Sequence, residues 1–242
     1  MTSRRFIGVL TPSSNTALEP LTSAMLRELP GVSAHFARFP VTEISLSEQS
    51  LRQFDDTKIL DAARLLADAH VDVICWSGTS ASWLGFERDV ELCARITQAT
   101  GIPATTSVLA LNELLARQGA RTLGLVSPYV EEVQRRIIDN YAGIGIEVVA
   151  ERHLDISVNF AFSEVEPGTL GVLLREVGRS WPAAMTTLCT NLRAAHLVDG
   201  LESEIGIPIY DSVATVVWKA LQLCGVDARP VRGWGRLFQV QT

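Results

Sequence analysis

The sequence has no excess of positive charge. Its 21 lysines and arginines are outnumbered by 27 aspartates and glutamates, which gives a net charge of −6 at pH 7. Because nucleic-acid binding needs clustered lysine and arginine, this balance argues against a nucleic-acid partner. The chain also lacks a run of about 18 apolar residues and a signal-peptide pattern. We therefore expect a cytoplasmic protein that binds no membrane.

Cysteine is scarce and scattered. The four cysteines form neither a Cys-x-x-Cys pair nor a cluster with histidine: Cys75, Cys93, Cys189 and Cys224. This spacing predicts neither structural zinc nor disulfide bonds. A glycine-rich phosphate loop is missing as well, since the glycine pair at 143–145 follows a helical segment and is typical of a helix end. The residues thus predict no metal site and no nucleotide site.

Apolar runs alternate with helical periodicity along the chain, which is typical of an α/β protein with parallel sheets. In 56–70, for example, apolar residues recur at steps of three and four: Ile59, Ala62, Ala63 and Leu66. Strands are predicted at 6–10, 34–39, 71–76, 104–106, 122–126, 146–154, 183–188 and 209–211. Helices are predicted from about 17, at 56–70, at 88–98, from Ser107 as the N-cap, at 130–141, from about 169, at 194–204 and from 212.

The second half of the chain repeats the first. Ile-Gly-Val-Leu-Thr-Pro, ending at Pro12, matches Leu-Gly-Leu-Val-Ser-Pro, ending at Pro128. Gly-Ile-Pro occurs at 101–103 and again at 206–208, each time followed four residues later by serine. Any two strand–helix units resemble each other, but three anchors in the same order favour duplication. We predict two pseudo-symmetric α/β halves, residues 1–118 and 119–242, in which the C-terminal helix of the first half can cross over.

Four polar segments follow predicted strands at the edge where parallel sheets bind ligands. They are Pro12-Ser13-Ser14-Asn15, Gly78-Thr79-Ser80, Pro128-Tyr129 and Cys189-Thr190-Asn191. The repeat places the second and fourth at equivalent positions, so the two halves would face each other across a cleft. Hydroxyl, amide and N–H groups there can bind an anion without lysine. Capping of the following helices is the alternative role for the same residue types.

Cys189 is the candidate proton-transferring residue. It follows a predicted strand and is expected to begin a helix, where the thiolate is favoured and the side chain can act as acid, base or nucleophile. The alternative is a small buried side chain, which is what we expect for the other three cysteines. The hydroxyl of Tyr129 can donate a hydrogen bond to a developing oxyanion; the alternative is an aromatic side chain that only packs at an interface. Trp76 and Trp83, near Gly78, indicate either an apolar pocket or core.

Three motifs resemble the aspartate/glutamate racemase superfamily, especially its maleate isomerase and arylmalonate decarboxylase branch. They are Pro-Ser-Ser-Asn-Thr at 12–16, Ser-Pro-Tyr at 127–129 and the strand-end Cys189, and Gly-Trp-Gly-Arg-Leu-Phe at 233–238 is similar to the decarboxylase tail. The resemblance implies two flavodoxin-like halves with the active site in the cleft between them. It also implies a small dicarboxylate substrate and neither a metal nor an organic cofactor. The oligomeric state is left open, a homo-oligomer included.

The sequence departs from the two-cysteine pattern of the racemases and isomerases in this superfamily. The first-half position holds Gly78, and Cys75 lies three residues too early. Gly-Thr-Ser together with Cys189 as the lone strand-end cysteine resembles the decarboxylases. The resemblance implies a carboxy-lyase acting on a malonate-type diacid, with Cys189, Thr79, Ser80 and Tyr129 as catalytic residues. The substrate would be bound by Pro12, Ser13, Ser14, Asn15, Gly78, Thr190 and Asn191.

Two alternatives remain open at this point. A maleate cis–trans isomerase or an Asp/Glu-type racemase would need another group in place of the first cysteine. A non-catalytic relative would have kept only the dicarboxylate pocket. Pro-Ser-Ser-Asn at 12–15 resembles the isomerases more than the decarboxylases, and Asn191 is more polar than the residue that decarboxylases usually have after the cysteine. We therefore expect a smaller or more polar diacid than an arylmalonate.

Overall fold

Eight parallel strands form two sheets in the computed structural model, which describes residues 4–54 and 56–239. The strands are β1 (Arg5–Pro12), β2 (Val32–Phe39), β3 (Val73–Trp76), β4 (Ala104–Thr106), β5 (Thr122–Ser127), β6 (Glu147–His153), β7 (Ala184–Thr187) and β8 (Ile209–Asp211). The strand orders are β2-β1-β3-β4 and β6-β5-β7-β8, all parallel. This identical order confirms the predicted α/β fold with two pseudo-symmetric halves.

Helices connect the strands and cover the sheets. They are α1 (Leu18–Met25), α2 (Glu48–Leu51), α3 (Asp56–Asp68), α4 (Ala81–Leu84), α5 (Glu87–Thr100), α6 (Ser107–Arg117), α7 (Glu131–Gly143), α8 (Asn159–Phe162), α9 (Pro167–Gly178), α10 (Val198–Ile205) and α11 (Ser212–Leu223). Short 3-10 turns lie at Leu26–Glu28, Arg52–Phe54, Ala195–Leu197 and Arg236–Gln239. The predicted strands and longer helices are confirmed to within a few residues. The single-turn helices α2, α4 and α8 were not predicted, because four residues carry no periodicity.

The repeated Gly-Ile-Pro anchors have a conformational cause. Helices α5 and α10 end at Gly101 and Gly206, whose φ angles are +73° and +83°. A side chain at a left-handed position would be strained, so glycine is favoured at both ends. The proline that follows two residues later cannot continue a helix and leads the chain into the edge strand.

Ser107 is not the N-cap of its helix, contrary to the sequence prediction. The cap is Thr106, whose Oγ1 accepts the N–H of Leu109 at 3.0 Å. In the second half Asp211 has the same role and accepts from the N–H groups of Val213 and Ala214. The cap lies one residue earlier than predicted because the last strand residue already has the extended backbone that an N-cap requires.

The C-terminal helix of the second half contacts the first half. Helix α11 packs against α6 and also touches α1, β3 and β4. Thr215 Oγ1, on α11, donates to the carbonyl of Ser107 at 3.1 Å. The division at residues 118 and 119 therefore stays a prediction. Within the described ranges, no helix is both long and apolar enough to span a membrane.

A buried carboxyl supports the junction of β4 and α6 and makes stability depend on pH. Asp89 is 2% exposed and accepts a hydrogen bond from Thr106 Oγ1. Burial raises the pKa of Asp89 from 3.8 to about 7. The folded protein therefore binds more protons than the unfolded chain between these values, so this group lowers the free energy of unfolding as pH rises from about 4 to 7.

We expect Asp89→Asn, which keeps an acceptor for Thr106, to remove this pH dependence. Relative to wild type, its free energy of unfolding should rise between pH 4 and pH 8 by up to about 4 kcal/mol, since one pKa unit corresponds to about 1.4 kcal/mol. Urea denaturation of both proteins at the two pH values measures the difference. If the difference in the free energy of unfolding between the two proteins is the same at both pH values, the raised pKa of Asp89 is wrong.

Candidate active site

A cavity lies where the carboxyl ends of the two sheets meet. It is lined by Pro12, Val41, Ile44, Trp76, Gly78, Thr79, Ser80, Trp83, Tyr129, Asn159, Phe162, Cys189 and Thr190. None of these lining side chains is a lysine, arginine, histidine, aspartate or glutamate. An anion in this cavity would therefore be held by neutral hydrogen-bond donors. Among residues 4–54 and 56–239, no group of three or more His, Cys, Asp or Glu side chains could hold a metal ion.

Seven of the eleven predicted site residues line this cavity, and they come from both halves. They are Pro12, Gly78, Thr79, Ser80, Tyr129, Cys189 and Thr190. Each lies at or just after the end of a central strand. The structure thus brings together residues that are up to 178 positions apart, as between Pro12 and Thr190.

The other four predicted residues lie beside the cavity and brace its walls: Ser13, Ser14, Asn15 and Asn191. Asn15 Oδ1 accepts from two N–H groups at the start of α1, at 3.0 Å each. Ser14 Oγ donates to the carbonyl of Val41 at 2.6 Å, and Ser13 Oγ accepts from the N–H of Val41 at 3.2 Å. The contacts of Asn15 fit the helix-capping alternative, and direct contact of the four residues with a substrate stays a prediction.

Asn191 joins the two halves behind the cavity. Its Oδ1 accepts from the N–H groups of Thr16 and Ala17, at 2.9 and 3.2 Å. Its Nδ2 donates to the carbonyl of Asn159 at 2.6 Å. Nearby, Thr190 Oγ1 donates to the carbonyl of Ser77 at 3.1 Å. The second-half strand end is therefore hydrogen-bonded to both first-half strand ends.

Cys189 has a different environment from the one predicted. It does not begin a helix, since β7 ends at Thr187 and α10 starts only at Val198. Burial raises the pKa of the Cys189 thiol to about 12 and outweighs the opposing hydrogen bonds, among them the N–H of Asn191 at 3.4 Å from Sγ and the hydroxyl of Tyr129. The expectation of a favoured thiolate is therefore wrong. At neutral pH Cys189 is a protonated thiol, which makes it a proton donor.

Tyr129 and Thr79 form a buried pair of hydroxyl groups in the cavity. Tyr129 OH and Thr79 Oγ1 are 2.6 Å apart, and Tyr129 also hydrogen-bonds Cys189. Burial raises the pKa of Tyr129 well above 10, so its hydroxyl is neutral and can donate. One hydroxyl comes from each half, and the thiol lies next to them. The site can therefore present neutral donors and a proton to one bound group.

Two segments close the cavity: the connection between β2 and α2, and the one that leads from β6 into α8. They supply four lining residues that sequence reasoning missed, which are Val41, Ile44, Asn159 and Phe162. The segments meet through the N–H of Ile44, which donates to Ser157 O at 2.8 Å, and the N–H of Asn159, which donates to Thr42 O at 2.9 Å. Asn159 is 4% exposed, and its Nδ2 donates to Ser14 Oγ at 2.9 Å. A polar residue in the apolar run 158–162 was the signal that could have identified it.

A family model described as arylmalonate decarboxylase matches residues 8–238. The maleate isomerase of Geobacillus stearothermophilus is 24% identical over 227 residues, covering 89% of this chain and 90% of that protein. The arylmalonate decarboxylase of Bordetella bronchiseptica is 28% identical over 183 residues, covering 74% and 76%. The solved structure of Nocardia farcinica maleate cis–trans isomerase superposes with a TM-score of 0.88 at 23% identity, covering 97% of each chain. The last comparison shows a shared fold.

The raised pKa of Cys189 gives its alkylation a distinctive pH profile. Because only the thiolate reacts, we expect the rate of iodoacetamide modification at Cys189 to keep rising up to about pH 11, whereas an ordinary cysteine levels off above about pH 8.5. Mass spectrometry of the peptide containing Cys189 measures the rate, and the same peptide in urea-unfolded protein is the control. A plateau below pH 9 in the folded protein would show that the thiolate is favoured after all.

Proposed function

The chain belongs to the arylmalonate decarboxylase family, and we propose that it is a cofactor-independent carboxy-lyase that removes CO2 from a malonate-type dicarboxylic acid. The observation that carries the proposal is the combination of one thiol, Cys189, with neutral hydroxyl donors in a cavity whose lining has no charged side chain. A two-base or two-thiol reaction would need a second group from the first half, where Gly78 lies instead.

One substrate carboxylate would be bound by the hydroxyls of Thr79, Ser80 and Tyr129. Thr79 and Ser80 lie immediately before α4. The hydroxyls of Thr79 and Tyr129 are held in place by their mutual hydrogen bond before a substrate binds. Donors that need no reorganisation stabilise the extra negative charge that this carboxylate gains when CO2 leaves.

The second carboxylate would face the apolar part of the wall, formed by Val41, Ile44, Trp83 and Phe162. An ionised carboxylate without a counter-charge or a full set of hydrogen bonds is destabilised in such surroundings. Cleavage of the bond between the α-carbon and this carboxylate releases neutral CO2 and leaves its electron pair on the α-carbon. Desolvation therefore raises the free energy of the bound diacid more than that of the transition state.

Cys189 would complete the reaction. The electron pair left by CO2 is shared between the α-carbon and the remaining carboxylate as an enediolate. The Cys189 thiol donates its proton to the α-carbon, which yields a monocarboxylate and a thiolate, and water reprotonates the thiolate afterwards. A thiol with a pKa of about 12 is protonated at neutral pH, as this step requires.

A cis–trans isomerase of maleate is the second candidate, and Asn159 is the observation that favours it. Its amide lies in the cavity wall and could bind the second carboxylate, which would remove the desolvation on which decarboxylation depends. Several relatives carry the name maleate isomerase. In this reading Cys189 would have to act without a first-half thiol.

The two candidates give different products in deuterated water. We expect wild type to convert a small malonate such as methylmalonate to a monoacid with deuterium at the α-carbon, and Cys189→Ala to lose this activity because no proton donor remains. Proton NMR measures both products. Cys93→Ala, a cysteine outside the cavity, should behave like wild type. Formation of fumarate from maleate, lost in Cys189→Ala, would instead establish the isomerase.

The tyrosine hydroxyl can be tested with a matched pair. Tyr129→Phe removes a donor at the developing enediolate, so we expect kcat to fall about 100- to 1,000-fold while the strands and helices are kept. Tyr141→Phe is the control, because Tyr141 is fully buried outside the cavity and no hydrogen-bond partner of its hydroxyl is found among the described residues. Steady-state kinetics and circular dichroism of both variants check this. Equal losses in the two variants would mean that Tyr129 contributes only packing.

A further inference from the structure

The space beside Gly78 is filled by a neighbouring side chain. A Cβ atom built on Gly78 would lie 2.0 Å from Cζ2 of Trp76, and 2.3 and 2.5 Å from two other indole atoms. Real Cβ contacts are not this short, so the indole and any side chain at position 78 exclude each other. Trp76 is 2% exposed, and its ring centroid lies 5.0 Å from that of Phe39. The aromatic neighbour and the burial leave the indole little freedom to move aside.

The internal repeat shows the opposite arrangement in the second half. There the equivalent of Trp76-x-Gly78 is Thr187-x-Cys189. Thr187 is small, and its Oγ1 donates to Asp211 at 2.6 Å. Cys189, two residues later, lines the cavity, and Thr187 does not. In each half, one of the two side-chain positions lines the cavity with a side chain: Trp76 in the first half and Cys189 in the second. In the first half this is an inert indole in place of an acid–base group.

Trp76 also separates the active-site cavity from a second one. The second cavity is lined by Ile59, Trp76, Ser80, Leu84, Arg88, Asp89 and Leu92. Only Trp76 and Ser80 line both cavities. Truncating the indole would therefore join the two spaces and extend the site toward the apolar side chains of Ile59, Leu84 and Leu92.

We propose that Trp76 is the specificity-determining residue of this enzyme: its indole occupies the place of a first-half side chain and restricts the substrate to malonates whose substituent is hydrogen or a small alkyl group. This inference rests on the proposed function for its substrate class. An aryl substituent would need the volume that the indole occupies. The same indole makes Cys189 the one acid–base side chain that reaches the α-carbon, so protonation comes from a single face.

Thermal stability tests the first half of the proposal, that the Trp76 indole and a side chain at position 78 exclude each other. We expect Gly78→Ala and Gly78→Cys to lower the Tm by about 5–10 °C in the presence of Trp76, because overpacking is not relieved by a rigid ring. In a Trp76→Thr background, which copies the second-half pattern, Gly78→Cys should leave the Tm unchanged or raise it. Gly200→Ala is the control, since a Cβ there meets no atom within 4 Å. Equal effects of Gly78→Cys in both backgrounds would overturn the proposal.

The specificity part is tested by binding, in the Cys189→Ala background so that the diacid is not consumed. Isothermal titration should give methylmalonate an affinity at least about tenfold higher than phenylmalonate, and Trp76→Thr should reverse this order. Equal affinities without the substitution, or no binding of either diacid, would overturn the proposal. If binding follows the expected order but NMR detects no CO2 loss with Cys189 present, the proposed carboxy-lyase activity is wrong and the role of Trp76 stands.

Discussion

The hydrogen bond between Thr79 and Tyr129 joins the ends of the two sheets, and the cavity depends on it. Both hydroxyls are buried, so neither can exchange this 2.6 Å contact for water without opening the interface. Thr190 and Asn191 add hydrogen bonds from the second half to first-half backbone. Because each buried polar group needs a partner, the strand ends have one favourable relative position, and it places the cavity between them.

Burial has two consequences in this cavity that act in the same direction. It raises the pKa of Cys189 and of Tyr129, which keeps both protonated and able to donate. It also penalises a second carboxylate that lacks a counter-charge. The proposed decarboxylation loses one negative charge from the substrate and then needs a proton, so it is suited to such a site. A basic pocket would bind a diacid more tightly, but it would stabilise the ground state and reduce the advantage of losing CO2.

Much of the fold could be predicted because it follows from local patterns. Apolar runs, helical periodicity and the paired Gly-Ile-Pro anchors each lie within a few residues of sequence, and they located the strands and most helices. The predicted cap at Ser107 was one residue late, since the sequence does not show where strand backbone ends. The favoured thiolate at Cys189 was wrong because burial raises the pKa of the thiol, and the distant residues that bury it are not shown by the local pattern.

The order of residues along the chain is enough to predict that two similar halves present polar strand ends, and that Cys189 in one half corresponds to Gly78 in the other. Both inferences concern only which residues occur and in what order. The protonation of Cys189, the place of Asn159 in the cavity wall and the position of the Trp76 indole beside Gly78 could not be predicted in this way. Each of these depends on which distant residues exclude water or occupy volume at one point in space, and that is set when the two sheets meet.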